Sequence, residues 1–406
     1  METSRDLNVM TPASIQARAV AGGVMLVTAT MLVVVSACAQ PQVPSSPEAS
    51  PAATNGSLHS TPFVSGTEGY QTFRIPAITT TRAGELLAIC EGRKHSASDA
   101  GDIDTVFKIS KDGGKSWGEL GVIWDDSTNT CGNPCVVRDD ETGVIWLLST
   151  WNRGEDREPN IINQTSKDTR RVFVSSSADD GRSWSKPREI TADVKLTNWT
   201  WYATGPGAGI QLQRGPRKGR LVVPCDHIEA GTRRYYSHII YSDDHGKTWK
   251  LGGTTPRDQV NECEVVELVG GALMLNMRSY DPAKKARQIA ISRDGGLTWE
   301  DQRIVPELVD PICQASIRRL SWPQGDKPGV ILFSNAAGQK REKMTVRASF
   351  DDGRTWSVSR LVTAQPSAYS CLVVQLDGSI GLLYESGLKN AYQAIEFATF
   401  NLDWLK

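Results

Sequence analysis

The chain carries almost no net charge: 45 lysines and arginines stand against 46 aspartates and glutamates, a formal −1. That balance argues against a protein held to nucleic acid by a basic face, and no nucleic-acid partner is expected. Histidine is scarce. The five histidines form no ligand pair, and the close pair Cys131 and Cys135 has no second pair to complete a set, so no metal is expected. An even set of thiols is missing too. With Cys38 set aside, Cys90, Cys131, Cys135, Cys225, Cys263, Cys313 and Cys371 remain, an odd number that cannot all pair within one chain. Most stand in apolar, strand-like runs such as Leu86 to Cys90, where free buried thiols are expected, while Cys131-Gly-Asn-Pro-Cys135 is also spaced for a short-loop disulfide. Beyond residue 60 no second linker interrupts the chain, and no separate second domain is expected within it.

What is present begins with a processing segment. Residues 19–36 form a mostly apolar run behind Arg18, and Val35-Ser36-Ala37-Cys38 has the form of a bacterial lipobox, with Cys38 as the lipidated residue. Cleavage after Ala39 by an ordinary signal peptidase and an uncleaved anchor helix are the competing readings, since the run approaches spanning length. All three carry the folded part out of the cytoplasm, as an envelope lipoprotein or a secreted protein. Residues 39–60 are rich in Pro, Ser and Ala and poor in large apolar side chains, so they read as a disordered tether between a 1–38 signal segment and one domain over 61–406.

Within that domain one pattern recurs. Ser-x-Asp-x-Gly-x-(Ser/Thr)-Trp appears five times, at Ser110–Trp117, Ser177–Trp184, Ser242–Trp249, Ser292–Trp299 and Ser349–Trp356. A unit returning at intervals of 50 to 67 residues is the mark of a repeat architecture. Each copy follows a β-rich run, so the Asp-x-Gly reads as a hairpin turn in which Asp accepts N–H groups and Gly takes positive φ. The tryptophan is expected to open the next strand and wedge between neighbouring sheets. The domain has room for six four-stranded units of about 58 residues, hence an all-β, six-bladed propeller closed by pairing the C-terminal strand with one after Phe63.

Such boxes are scaffold and give no activity. Three other stretches carry chemistry: Phe73-Arg74-Ile75-Pro76 with Arg93 and Asp99 after it; Glu262 and Arg278 across a strand, Gly-Gly turn and strand; and Arg341, Tyr369 and Glu385 near the end. Each alone could be surface charge or core. Together with the boxes, the first resembles the Phe-Arg-Ile-Pro motif of sialidases, and the others follow in that family's order, over the chain from about residue 63 to its end.

The resemblance implies a retaining exo-α-sialidase acting on terminal sialic acids of glycoconjugates, with no cofactor and no obligatory protein partner. Arg74, Arg278 and Arg341 would bind the sugar carboxylate, for which the planar guanidinium fork is suited. Because that carboxylate repels an anionic nucleophile, a neutral hydroxyl serves better: Tyr369 would attack, with Glu262 as its base. Asp99 would be general acid and base, Glu385 would hold Arg74, and Arg93 would face ring substituents near C4. Trp151, Asp156, Trp201 and Tyr202 are candidates for the N-acyl pocket or for structural roles. A trans-sialidase and a non-catalytic sialoglycan-binding propeller are the alternatives. Retention of Tyr369, Glu262 and Asp99 together speaks against the latter, since binding alone needs none of them.

Overall fold

The computed structural model describes residues 57–281 and 285–406. The signal segment, Cys38 and most of the tether lie outside them.

Among the described residues, six four-stranded antiparallel blades follow one another. Blade 1 comprises Thr72–Thr80, Leu86–Arg93, Ile103–Ser110 and Gly121–Trp124. Blade 2 starts at Thr130–Arg138, blade 3 at Trp199–Thr204 and blade 4 at Val260–Glu267. Blade 5 opens with Ser316–Ser321. Its outermost strand is the first half of Val358–Val374, whose second half becomes the innermost strand of blade 6. Blade 6 is completed by Ile380–Ser386, Ala394–Phe400 and the N-terminal Leu58–Val64, which pairs antiparallel with Ala394–Phe400.

The expected closure is therefore present, with one adjustment. The closing strand begins at Leu58 and contains Phe63, so residues 58–60 belong to the sheet rather than to the tether. The same closure accounts for five boxes on six blades. In blades 1 to 5 the box spans the hairpin between third and fourth strands; in blade 6 those strands come from opposite ends of the chain, so no such hairpin exists.

Each box is tied by its own side chains. In the first, the Ser110 hydroxyl donates to Asp112 at 2.8 Å, Asp112 accepts the backbone N–H groups of Lys115 and Ser116, and the Ser116 hydroxyl reaches its other oxygen. Asp244 and Thr248 repeat the bonds in blade 3. Hydrogen bonds from Ser116 and Ser183 hold Asp112 and Asp179 down to a pKa of about 2. The box glycine faces the preceding blade. A Cβ on Gly246, at φ +85°, would meet the Trp146 ring at 2.1 Å.

The tryptophans precede the fourth strands instead of opening them, and they wedge between blades as expected. Trp117 meets Phe397 of blade 6 edge-on at 5.4 Å, and Trp249 meets Trp146 of blade 2 at 6.4 Å. The apolar clusters lie between adjacent blades, so each blade buries its faces only against its neighbours. All seven described cysteines are buried free thiols, Cys131 and Cys135 included.

Candidate active site

The inner strands of five blades each carry a β-bulge near their first residues. The register breaks between Arg74 and Ala77, Gly132 and Cys135, Trp199 and Tyr202, Val260 and Cys263, and Ser367 and Ser370. A bulge bends its strand and re-aims a side chain. The residues at these breaks, Arg74, Asn133, Trp201, Glu262 and Tyr369, all line one cleft of about 160 Å³. In blade 1 the bulge carries a strained backbone. Ile75 sits at φ +62°, a costly conformation for a β-branched residue, and Pro76 beside it has no N–H to place in the ladder.

A single buried carboxylate holds that distortion. Glu385 accepts Arg74 Nε at 2.7 Å and the Ile75 N–H at 2.9 Å with one oxygen, and the Tyr369 N–H at 3.1 Å with the other. It fixes an arginine on one blade to the backbone of the tyrosine on another without itself lining the cleft.

Tyr369, 5% exposed, donates its hydroxyl to Glu262 Oε1 at 2.5 Å. Glu262 Oε2 accepts Arg278 Nη1 at 2.6 Å, and that nitrogen also lies 3.1 Å from the Tyr369 oxygen. Burial and the Glu262 charge push the Tyr369 pKa well up, with Arg278 and Arg341 opposing. The phenol is therefore protonated and needs a base at the moment of attack. Arg341 donates to the Tyr392 hydroxyl at 2.8 Å, and Arg74 stacks 4.1 Å over the Tyr392 ring. The three arginines come from blades 1, 4 and 5 and converge on one wall.

Asp99 lies beside Arg74 on the loop after Leu86–Arg93. Its carboxylate accepts Arg93 Nη1 at 2.7 Å and lies 3.8 Å from Arg74 Nη1. Crowding by the protein raises its pKa, but Arg93 and Arg74 more than offset this, leaving it below the usual carboxylate value. With the side chain 71% exposed, the ion pair decides the direction. Arg93 is buried, its Nε and Nη2 held by Glu91 at 3.0 and 2.6 Å.

Of the N-acyl candidates only Trp201 lines the cleft, beneath the Arg170 guanidinium at 4.1 Å. Trp151 instead donates to Asp126, Asp156 accepts the Lys167 and Asp168 N–H groups within its own loop, and Tyr202 is core. Those three are structural.

Several lining residues escape a reading of the sequence: Asn133, Glu158, Arg170, Asp226 and Tyr280. Asp226 is buried, bonded to Asn261 at 2.8 Å, and burial together with the Glu262 charge pushes its pKa well up. It interrupts a second strand directly after the apolar run Leu221–Cys225, and that interruption is a signal the sequence does offer. Arg170 has no such marker. It is buried where it donates to the Tyr202 carbonyl and to Asn133 and Asn152, and burial lowers it to about 10.

Residues 84–382 match the family described as BNR repeat-like domain. The chain is 36% identical to a sialidase of Micromonospora viridifaciens over 84% of its length and 53% of the relative's. It is 32% identical to a sialidase of Bacteroides fragilis over 82% of its length and 63% of the relative's. It thus spans about half the length of the former and under two thirds of the latter. Among solved structures, the Hadza microbial sialidase Hz136 superposes with a TM-score of 0.76 at 31% identity, covering 86% of this chain and 69% of that one.

Proposed function

Since the chain belongs to the sialidase family built on BNR repeats, we propose that it is an exo-α-sialidase that releases terminal sialic acids from glycoproteins, glycolipids or oligosaccharides with retention at the anomeric carbon. The observation that carries this reading is the buried Tyr369–Glu262 pair within reach of Arg278. A sialic acid bears a carboxylate on its anomeric carbon C2, and Arg74, Arg278 and Arg341 supply fixed cationic donors for it.

With the carboxylate held, Tyr369 Oη attacks C2 and its proton passes to Glu262. The C2–oxygen bond to the aglycone breaks, and Asp99 gives its proton to the leaving oxygen. In the second step Asp99 takes a proton from water, which attacks C2. Tyr369 leaves and recovers its proton from Glu262, so two displacements restore the starting configuration. The acid role requires Asp99 to leave Arg93 and be protonated. A bound sugar favours both, because its carboxylate offsets the pull of Arg74 and its ring substituents take up Arg93. Glu385 keeps Arg74 and Tyr369 in register throughout.

The test is incubation with a fluorogenic sialoside, with product analysis in the presence and absence of lactose. Free sialic acid in both conditions supports hydrolysis. Sialyllactose as the main product with lactose present would make the protein a trans-sialidase, and tight binding without turnover a lectin-like propeller.

We propose further that the protein is exported and lipid-anchored through Cys38, on the strength of the lipobox. Cys38→Ala should abolish partition into detergent. Equal partition of both forms, with a mature N-terminus beyond residue 39, would leave plain secretion.

A further inference from the structure

A second cavity lies at the other end of the propeller axis. Inner strands begin at the cleft that holds Tyr369 and end around this cavity of about 290 Å³, lined by the later residues of the same strands, among them Thr80, Val137, Val266, Arg318 and Val373. Between the two ends lies Glu264, fully buried, which accepts the Ala208 and Ile317 N–H groups and the Ser316 hydroxyl.

Most charges in the lower cavity are already matched. Arg138 donates to Asp140 and to Thr80, and Glu267 accepts the Gln213 and Arg214 N–H groups. Arg319 is ion-paired with Asp352 and donates to the Glu267 carbonyl, although its Nη1, like one donor of its neighbour, is buried without a partner. Arg318 is different. Its Nη1 donates to the Gly209 carbonyl at 3.0 Å, but its Nε is buried without a partner, and it makes no ion pair among the described residues. An unmatched buried donor on a permanent cation is costly, and the Nε–Nη2 edge is the side of a guanidinium that takes a carboxylate with two parallel bonds. Around it the wall is apolar, with Ile78, Val136, Val266 and Leu372.

We propose that this cavity is a binding site for a small amphipathic carboxylate, its anionic head on the Nε–Nη2 edge of Arg318 and its apolar body along that wall. A compact dianion such as phosphate or sulfate suits it poorly. It would offer nothing to the apolar wall, and it would bring a second charge toward Glu264, Glu267 and Asp140, with Arg318, whose charge already acts on Glu264, as the cation free of a direct ion pair. The site is separate from the proposed sialidase chemistry and does not rest on it.

Hexanoate serves as the probe, with hexanol as its neutral counterpart and inorganic sulfate as the compact anion. In thermal unfolding, hexanoate should raise the melting temperature saturably by about 2–4 °C, and equimolar hexanol or sulfate should not. Arg318→Lys keeps the charge facing Glu264 but removes the flat edge; it should fold and bind hexanoate at least tenfold more weakly in titration calorimetry. Arg341→Gln, at the other end of the axis, should leave the response intact. The proposal is overturned by the absence of any response to hexanoate, by equal responses in wild type and Arg318→Lys, by an equal effect of hexanol or sulfate, or by loss of the response in Arg341→Gln, which would put the anion in the upper cleft. Should Arg318→Lys not fold, saturation-transfer NMR on the wild type decides: transfer to the hexanoate chain supports the site, and its absence overturns it.

Discussion

The outer hairpins and the inner bulges of this propeller use repetition in opposite ways. At the rim, five hairpins place Ser, Asp, Gly and Trp in one hydrogen-bonded pattern, and blade after blade the outcome is the same. At the axis, five strands repeat the same irregularity, a bulge near the first residues, yet each presents a different side chain: Arg74, Asn133, Trp201, Glu262 and Tyr369. Repeated chemistry at the rim holds the blades together. Repeated geometry at the axis gathers unlike groups at one point, which chemistry on a sugar requires. If this division is right, axial substitutions cost activity and spare the fold, and rim substitutions do the reverse.

The sharpest test is Tyr369→Phe. It removes the attacking oxygen and keeps the ring in its apolar cluster, so turnover should fall by about 10³-fold or more while thermal unfolding barely changes. A fluorinated sialosyl inhibitor should label Tyr369 in the wild type, and label on another residue would refute the assignment.

Asp99→Ala follows, with a signature that depends on the leaving group. A sugar alcohol needs a proton to depart and a nitrophenolate does not, so about 10²- to 10⁴-fold should be lost for sialyllactose. Formation of the sialyl-enzyme from a nitrophenyl sialoside, read as a burst, should suffer far less, because the base is needed only in the later hydrolysis. Equal loss in that first step would remove Asp99 as the acid and direct attention to Asp102 on the same loop and Asp104 at the start of the strand that follows it.

At the rim, Gly246→Ala should invert the pattern. Its Cβ would strike Trp146 of the neighbouring blade from a positive-φ position, and a loss of about 3 kcal/mol in chemical denaturation is expected, with kcat per folded molecule unchanged. A fall in kcat without loss of stability would break the division between rim and axis.

The smallest effect concerns acid. The box aspartates Asp112 and Asp179 have folded pKa values of about 2, held there by their hydrogen bonds, against an ordinary value near 3.9 when unfolded. Their contribution is fully present above about pH 4 and is lost as pH falls toward 2. The melting temperature should decline across that window, and Asp112→Asn should flatten the decline slightly. An unchanged slope would mean that other carboxylates govern acid unfolding.

Much of the fold is legible in the sequence. The box repeat marks third-to-fourth-strand hairpins because its Ser, Asp and Gly act within a few residues of one another, and local hydrogen bonds are written locally. The closing strand is placed a few residues late, since Leu58 to Ser60 look like linker until Ala394–Phe400 supplies a partner. Tyr202 is indistinguishable from Trp201 by sequence, because one residue's shift across a bulge decides which side chain faces the axis.

By itself the sequence determined the repeat, the count of blades and the stock of arginines, carboxylates and tyrosine in family order. Only the tertiary structure decided that Tyr369 meets Glu262 107 residues away, that Glu385 bonds Arg74 across 311, and that Arg170 and Asp226 share the cleft with them. The reason is that a propeller builds its site from strand ends on different blades. Which residues converge is set by bulge register and blade packing around the axis, and no local stretch of chain encodes either.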